Sequence, residues 1–153
     1  EKKENQIEEL AKNLNGCRIL LAEDNDLNAE IAMTILQEHG VQVERAVNGE
    51  ECVEMLKAQT ADYYDAVLMD IQMPVMNGYD AARAIRQLTT PHAAVSIIAM
   101  TANAFEEDKQ KAFAAGMDAY ITKPVDVVSM MKTLHQIIET HRSDPDLSEN
   151  KYL

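Results

Sequence analysis

The sequence predicts a doubly wound α/β fold: one five-stranded parallel sheet with helices on both faces. Two observations carry the prediction. Between residues 16 and 142, short apolar runs alternate five times with segments of helical periodicity. Each run also gives way to polar or chain-breaking residues within a few positions. Strands that alternate with helices form parallel β-α units, and such sheets are covered on both sides.

The first run, Arg18-Ile19-Leu20-Leu21-Ala22, ends at Glu23-Asp24-Asn25. A helix follows, with Asn25 or Asp26 as cap and Leu27, Ile31 and Ile35 on one face, and Gly40 closes it. Residues Val41 to Val47 alternate as a strand, and Asn48-Gly49 turns into a helix carrying Cys52, Val53 and Leu56. Ala66-Val67-Leu68-Met69 then runs straight into Asp70, before Met73-Pro74 and Asn77-Gly78 break the chain. Four apolar residues bounded by turn signals suit a strand buried on both faces. A helix lies near Tyr79–Leu88, a strand over Ser96–Met100 ending at Thr101, and a helix over Glu106–Ala115 stopping at Gly116. Ala119 to Thr122 forms the fifth strand, ending at Lys123-Pro124. The last helix runs from Val127 to His141 with Val128, Met131, Leu134 and Ile138 inward.

The chain divides into residues 1–15, a domain over 16–142 and a polar tail over 143–153 that opens Ser143-Asp144-Pro145. In the first piece Ile7, Leu10 and Leu14 fall at helical spacing, with Asn15-Gly16 as the stop. Three readings stand: the end of a connecting helix or coiled coil from an upstream domain, a short helix lying on this one, or a frayed terminus. The chain opens on Glu1 rather than Met, as an excerpt of a longer protein would.

With 153 residues there is room for one domain with a proper core. A net charge of −12 argues against nucleic acid or anionic membrane as a partner of the general surface, and leaves room for a cation. Cys17 and Cys52 are too few for a disulfide framework, and no signal peptide or membrane-spanning run is present. A cytoplasmic setting is expected.

Polar residues collect at the strand ends. The first strand brings Glu23 and Asp24, the third Asp70, the fourth Thr101 and the fifth Lys123. In open parallel sheets the carboxyl ends of the strands are where ligands bind. Two carboxylates roughly 5 Å apart, at an effective dielectric of about 20, repel by about 3 kcal/mol. Such a cluster raises a carboxylate pKa or recruits a cation, and an all-oxygen, partly hydrated site suits Mg²⁺. Taken singly, Asp70 reads as a turn cap, Thr101 as a strand-end hydroxyl and Lys123 as a solvated charge. Those separate readings do not explain why polar residues punctuate these particular strand ends.

The sequence resembles the receiver domain of two-component response regulators. The matching residues are Glu23-Asp24, the apolar strand into Asp70 with Met73-Pro74 and Gly78, Thr101-Ala102, and Lys123-Pro124. Glu23 through Asn28, Asp70 through Pro74 and Met100 through Ala104 are most similar to receivers of hybrid sensor histidine kinases. A stand-alone regulator carries the same kind of residues.

The resemblance implies a flavodoxin-like sheet in the order 2-1-3-4-5. It implies that Asp70 accepts a phosphoryl group from a phosphohistidine on a histidine kinase or histidine phosphotransfer domain. Asp24 and Asp70 would bind Mg²⁺ (or Mn²⁺) directly, Glu23 through water, and Gln72 through its backbone carbonyl. Lys123, the Thr101 hydroxyl and the Ala102 amide would bind phosphoryl oxygens. Thr101 and Tyr120 would form the switch, Lys123-Pro124 a cis peptide, and Leu27 with Ile31 the partner-docking patch. Tyr120 also reads as an edge aromatic in packing.

Three rival readings are weaker. A haloacid-dehalogenase phosphatase needs an acid where Gln72 stands, and glutamine is no general acid or base. A flavin-mononucleotide module needs a Ser/Thr/Gly phosphate loop after the first strand, where Glu23-Asp24 would repel a phosphate ester. A degenerate receiver that only binds partners is opposed by the complete set of five site residues. The nine methionines read as core fillers and the two cysteines as small buried hydrophobes. His39, His92, His135 and His141 are not clustered and read as surface residues, so the donor histidine lies on another domain or chain.

Overall fold

The computed structural model of the chain describes residues 2–103 and 105–143. Helix α1 (Lys2–Leu14) leads into β1 (Arg18–Ala22), α2 (Asp26–Glu38), β2 (Gln42–Ala46) and α3 (Gly49–Lys57). Then come β3 (Ala66–Asp70), α4 (Gly78–Arg86), a 3₁₀ turn (Pro91–Ala94) and β4 (Ile97–Thr101). The chain finishes with α5 (Glu106–Ala114), β5 (Ala119–Thr122) and α6 (Val127–Ser143). All strand pairings are parallel, in the order β2-β1-β3-β4-β5. The polar tail expected from residue 143 lies outside the described residues beyond Ser143 itself.

Successive strand side chains point to opposite faces, so each apolar strand feeds two cores. In β1, Leu20 and Ala22 enter one core and Ile19 and Leu21 the other. In β3, Val67 and Met69 join the first, Ala66 and Leu68 the second. Helices α3, α4 and α5 cover the first core through Cys52, Val53, Leu56, Ala81, Ile85 and Ala112. Helices α1, α2 and α6 cover the second through Leu14, Ala32, Leu36, Met131, Leu134 and Ile138. All nine methionines pack in one core or against it, and both cysteines are buried.

In α2 the buried residues are Ala29, Ala32 and Leu36, whereas Leu27 is 65 % exposed and Ile31 48 %. Two alanines and Leu36 face the core there, and Leu27 and Ile31 point outward, as the expected partner-docking patch requires. The four histidines are half-buried rather than at the surface. His92 bridges Thr90 and the Gln59 carbonyl, and His39 contacts the Ile35 carbonyl through Nδ1.

Helix α1 lies along α6. Leu14 is fully buried in the second core, with Leu10 and Ala11 packed against it. The Gly16 amide donates to the Gly40 carbonyl at 2.9 Å, tying the end of α1 to the turn that closes α2. Gly40 has a φ of +84°, a left-handed conformation that favours glycine.

Asn25, Asn48 and Asn77 each start a helix by accepting the N–H three residues on, at 2.9, 2.8 and 2.9 Å. This resolves the choice at α2 in favour of Asn25 over Asp26. It also makes Asn48-Gly49 and Asn77-Gly78 caps rather than plain turns.

Candidate functional site

The strand order reverses between β1 and β3, and ligands of open α/β sheets bind at such switch points. Ala22 is the register partner of Met69, so Glu23 and Asp70 are the next residues out on neighbouring strands. One oxygen each from Glu23, Asp24 and Asp70 lies within 4.8 Å of the others. They line an open cleft of about 610 Å³ together with Thr101, Ala102 and Lys123. Gly78 is required at its edge, because a Cβ there would press on the Asp70 carbonyl. Its amide donates to the Ile71 carbonyl at 2.8 Å, which seats α4 directly against the end of β3.

Two of the three acids are out of water: Glu23 is 2 % exposed and Asp70 5 %. Asp24 stands exposed at the mouth. Lys123 Nζ lies 3.1 Å from Glu23 Oε2 and 3.1 Å from Asp70 Oδ2, so one ammonium serves two buried carboxylates. The Gln72 amide donates to Asp70 Oδ1 at 3.3 Å and the Asn25 amide to Glu23 Oε1 at 3.3 Å. Burial first, and the Glu23 charge second, push the Asp70 carboxyl up from 3.8 to about 6, against the pull of Lys123. Burial works against the Lys123 ammonium, but Asp70 and Glu23 outweigh it and hold its pKa above the ordinary lysine value.

This donor set fits a hard divalent cation. It is all oxygen, carries net negative charge around a partly open pocket, and leaves room for water on the metal. The half-buried Lys123 ammonium beside Asp70 is suited to receiving an anion there.

The far wall is arranged differently. The Thr101 hydroxyl accepts from the Asn103 amide and faces its carbonyl, both at 3.1 Å, so it is engaged within its own loop. Tyr120 packs against the first core, with the Phe113 ring 6.2 Å away edge-on and Lys109 Nζ 4.6 Å from its centroid. The Lys123–Pro124 peptide bond is cis. Leu27 and Ile31 stand on the outer face of α2, and Ile31 borders an apolar groove with Pro124 and Val125.

The response regulator receiver domain model matches residues 19–135. The chain belongs to that family. A hybrid signal transduction histidine kinase of Dictyostelium discoideum (kinase L) is 39 % identical over 112 residues, covering 71 % of this chain but 6 % of the kinase. The peroxide stress-activated histidine kinase mak1 of Schizosaccharomyces pombe is 38 % identical over 112 residues, covering 72 % of this chain and 7 % of its own length. This receiver therefore spans a small fraction of the curated relatives it matches. Among solved structures, the receiver domain of a Pseudomonas aeruginosa sensor histidine kinase, described with magnesium coordinated in its active-site cleft, is 36 % identical with a TM-score of 0.73. The match covers 81 % of this chain and 98 % of that one. A Saccharomyces cerevisiae co-crystal of the phosphotransfer protein Ypd1 with the receiver domain of Ssk1 matches with a TM-score of 0.75 at 29 % identity, covering 87 % and 95 %.

The receiver holds two features that its sequence did not announce. Val75 has a φ of +68°, and the Met76 amide donates to the Pro74 carbonyl at 2.7 Å across it. A β-branched residue there is strained, and such strain clusters at functional loops. Arg45, at the end of β2, reaches over to the turn that carries the acids. Neither shows in composition or periodicity. The Pro74 to Gly78 run signals a turn, without its dihedral angles.

Proposed function

We propose that this receiver is the phosphoacceptor of a two-component phosphorelay and that Asp70 is the residue phosphorylated. The observation that carries the reading is Lys123, whose ammonium lies 3.1 Å from both Asp70 and Glu23 and so marks a built anion site beside a buried carboxylate. An Asp70 carboxylate oxygen attacks the phosphorus of a phosphohistidine on a histidine kinase or phosphotransfer domain. The P–O bond forms, the P–N bond breaks, and its electron pair returns to the imidazole nitrogen. Asp24 and Asp70 would hold Mg²⁺ (or Mn²⁺) directly, Glu23 would do so through water, and the Gln72 carbonyl would complete the protein ligands. The chemistry that Mg²⁺ supplies when bound is neutralisation of charge on the transferring group.

Lys123 holds one phosphoryl oxygen as a point charge, and the Thr101 hydroxyl and Ala102 amide hold the others. For this Thr101 turns from Asn103 toward Asp70, and Tyr120 moves inward behind it. That motion carries the signal to the face formed by α5, β5 and α6. Leu27 and Ile31 receive the partner's histidine-bearing helices. Residues 16–142 make up the receiver, and its parent is a hybrid histidine kinase in which it works in the cytoplasm.

The test is phosphate incorporation from acetyl phosphate with Mg²⁺, read by intact mass. One phosphoryl group is expected on the wild type and none on Asp70→Asn or in excess chelator. Undiminished labelling in either control overturns the reading.

A further inference from the structure

Arg45 makes more contacts with the acidic turn than any exposed ion pair needs. Its Nε and Nη2 donate to the Glu23 backbone carbonyl at 3.0 and 2.9 Å, and its Nη1 donates to Asp26 Oδ1 at 2.9 Å. The Glu23 amide meanwhile donates to the Ala46 carbonyl at 3.1 Å. The last two residues of β2 thus hold Glu23 at both its amide and its carbonyl, and Arg45 fastens the turn again at Asp26. Asp24 and Asn25 lie between these two fixed points, and the Asp24 carboxylate is the exposed member of the three-acid cluster. Two N–H groups of the planar fork converge on one carbonyl oxygen while the third nitrogen reaches Asp26, a set of contacts that an ammonium cannot reproduce.

We propose that Arg45 is a positioning residue for the cation site: it fixes the backbone of residues 23–26 and so holds the Asp24 carboxylate where a divalent ion meets it. The inference rests on the Mg²⁺ reading above. Two competing roles make opposite forecasts. If Arg45 acted only through its charge, Arg45→Lys would behave like the wild type and Arg45→Ala would bind a cation more tightly, because a repelling charge is gone. If it acted only on the fold, core amides and the melting temperature would change together with metal binding.

The experiment is Mg²⁺ titration calorimetry on the folded chain and on Arg45→Lys and Arg45→Ala, paired with amide hydrogen exchange in the absence of metal. Outer-sphere partners of metal ligands typically matter by about tenfold to a hundredfold in affinity. A Kd raised in that range is expected in both variants, with faster exchange at Asp24–Asp26 and unchanged exchange in β3 and β4. Where Arg45→Ala does not fold, Arg45→Lys decides. A Mg²⁺ Kd within about twofold of wild type in Arg45→Lys, or tighter binding by Arg45→Ala, overturns the proposal. Failure of the wild type to bind Mg²⁺ sinks the metal reading separately. The metal-free exchange then decides for Arg45, and unchanged rates at Asp24–Asp26 in both variants overturn its positioning role.

Discussion

The two walls of the cleft differ in how far they are assembled. On the charged side, Glu23 and Asp70 at the ends of β1 and β3 each lie 3.1 Å from Lys123, which reaches across from the end of β5, and Gly78 and Arg45 brace the turns behind the acids. On the β4–β5 side, Thr101 bonds within its own loop, and Tyr120 leans on Phe113 and Lys109 of α5. Charge costs most to reorganise inside a protein, so the charged wall gains by being built in advance. The hydroxyl wall is where a two-state element belongs, because a ligand shifts an equilibrium only through groups that meet it differently in the two states.

The comparison can be broken hardest at Lys123. Lys123→Ala leaves two buried carboxylates facing each other without a counter-charge. Losing one preorganised electrostatic contact costs about 10²–10³ in rate, so labelling of Asp70 by acetyl phosphate should slow by that factor. A loss below about tenfold would mean that the ammonium is not part of the phosphoryl site.

Thr101→Ala tests the other wall. A population shift from 1:99 to 99:1 needs about 5.5 kcal/mol, and one hydrogen bond to a charged group contributes about 1.5–3. The variant should therefore still accept phosphate but shift only part of the way. Amide chemical shifts of Glu106–Ala114 and Tyr120, with and without beryllofluoride, measure this. Full wild-type displacement would remove Thr101 from the switch.

A third prediction concerns the metal-free site, where a carboxyl at about 6 rather than 3.8 means that the charged form of Asp70 is held under protest. The folded chain then binds a proton that the unfolded chain has released between about pH 4 and 6. Stability from this group accordingly falls as pH rises through that window, and no such loss remains for Asp70→Asn. Because Lys123 keeps Glu23 as a partner, Asp70→Asn should stabilise the metal-free chain at pH 7 by about 1–2 kcal/mol. Denaturant midpoints at pH 4 and pH 7 would show it, with little difference between variant and wild type at pH 4.

The smallest effect is expected outside both walls. Leu27→Asp removes an exposed apolar contact, worth about 1–2 kcal/mol where a partner covers it. Transfer from a phosphohistidine partner should slow about tenfold while acetyl phosphate labelling is spared. Equal losses in both assays would point to a damaged fold.

The sequence made the charged wall legible because its residues interrupt apolar strands, and a parallel sheet brings strand ends together whatever the details of packing. The parallel sheet with helices on both faces followed from the same alternation, and its strand order from the family resemblance. Which stripe of α2 faces the sheet was not legible. Leu27, Ile31 and Ile35 share the helical period with Ala29, Ala32 and Leu36, and only the packing of the helix on the sheet selects the set that is buried. Arg45 was hidden for another reason. Its reach to Glu23 depends on the pairing of Leu21 with Arg45 across β1 and β2, a register that no local pattern reports. The positive φ at Val75 is likewise a property of the closed turn rather than of valine.

Helix α1 gives the domain two different beginnings. The family pattern starts at Ile19, but the hydrophobic unit starts earlier, because Leu14 belongs to the same core as Met131, Leu134 and Ile138. A chain trimmed to the family boundary would open that core to water along one side of α6. A domain joined through residue 2 would meet this one through a continuous helix that lies along α6, the element proposed above to carry the signal outward.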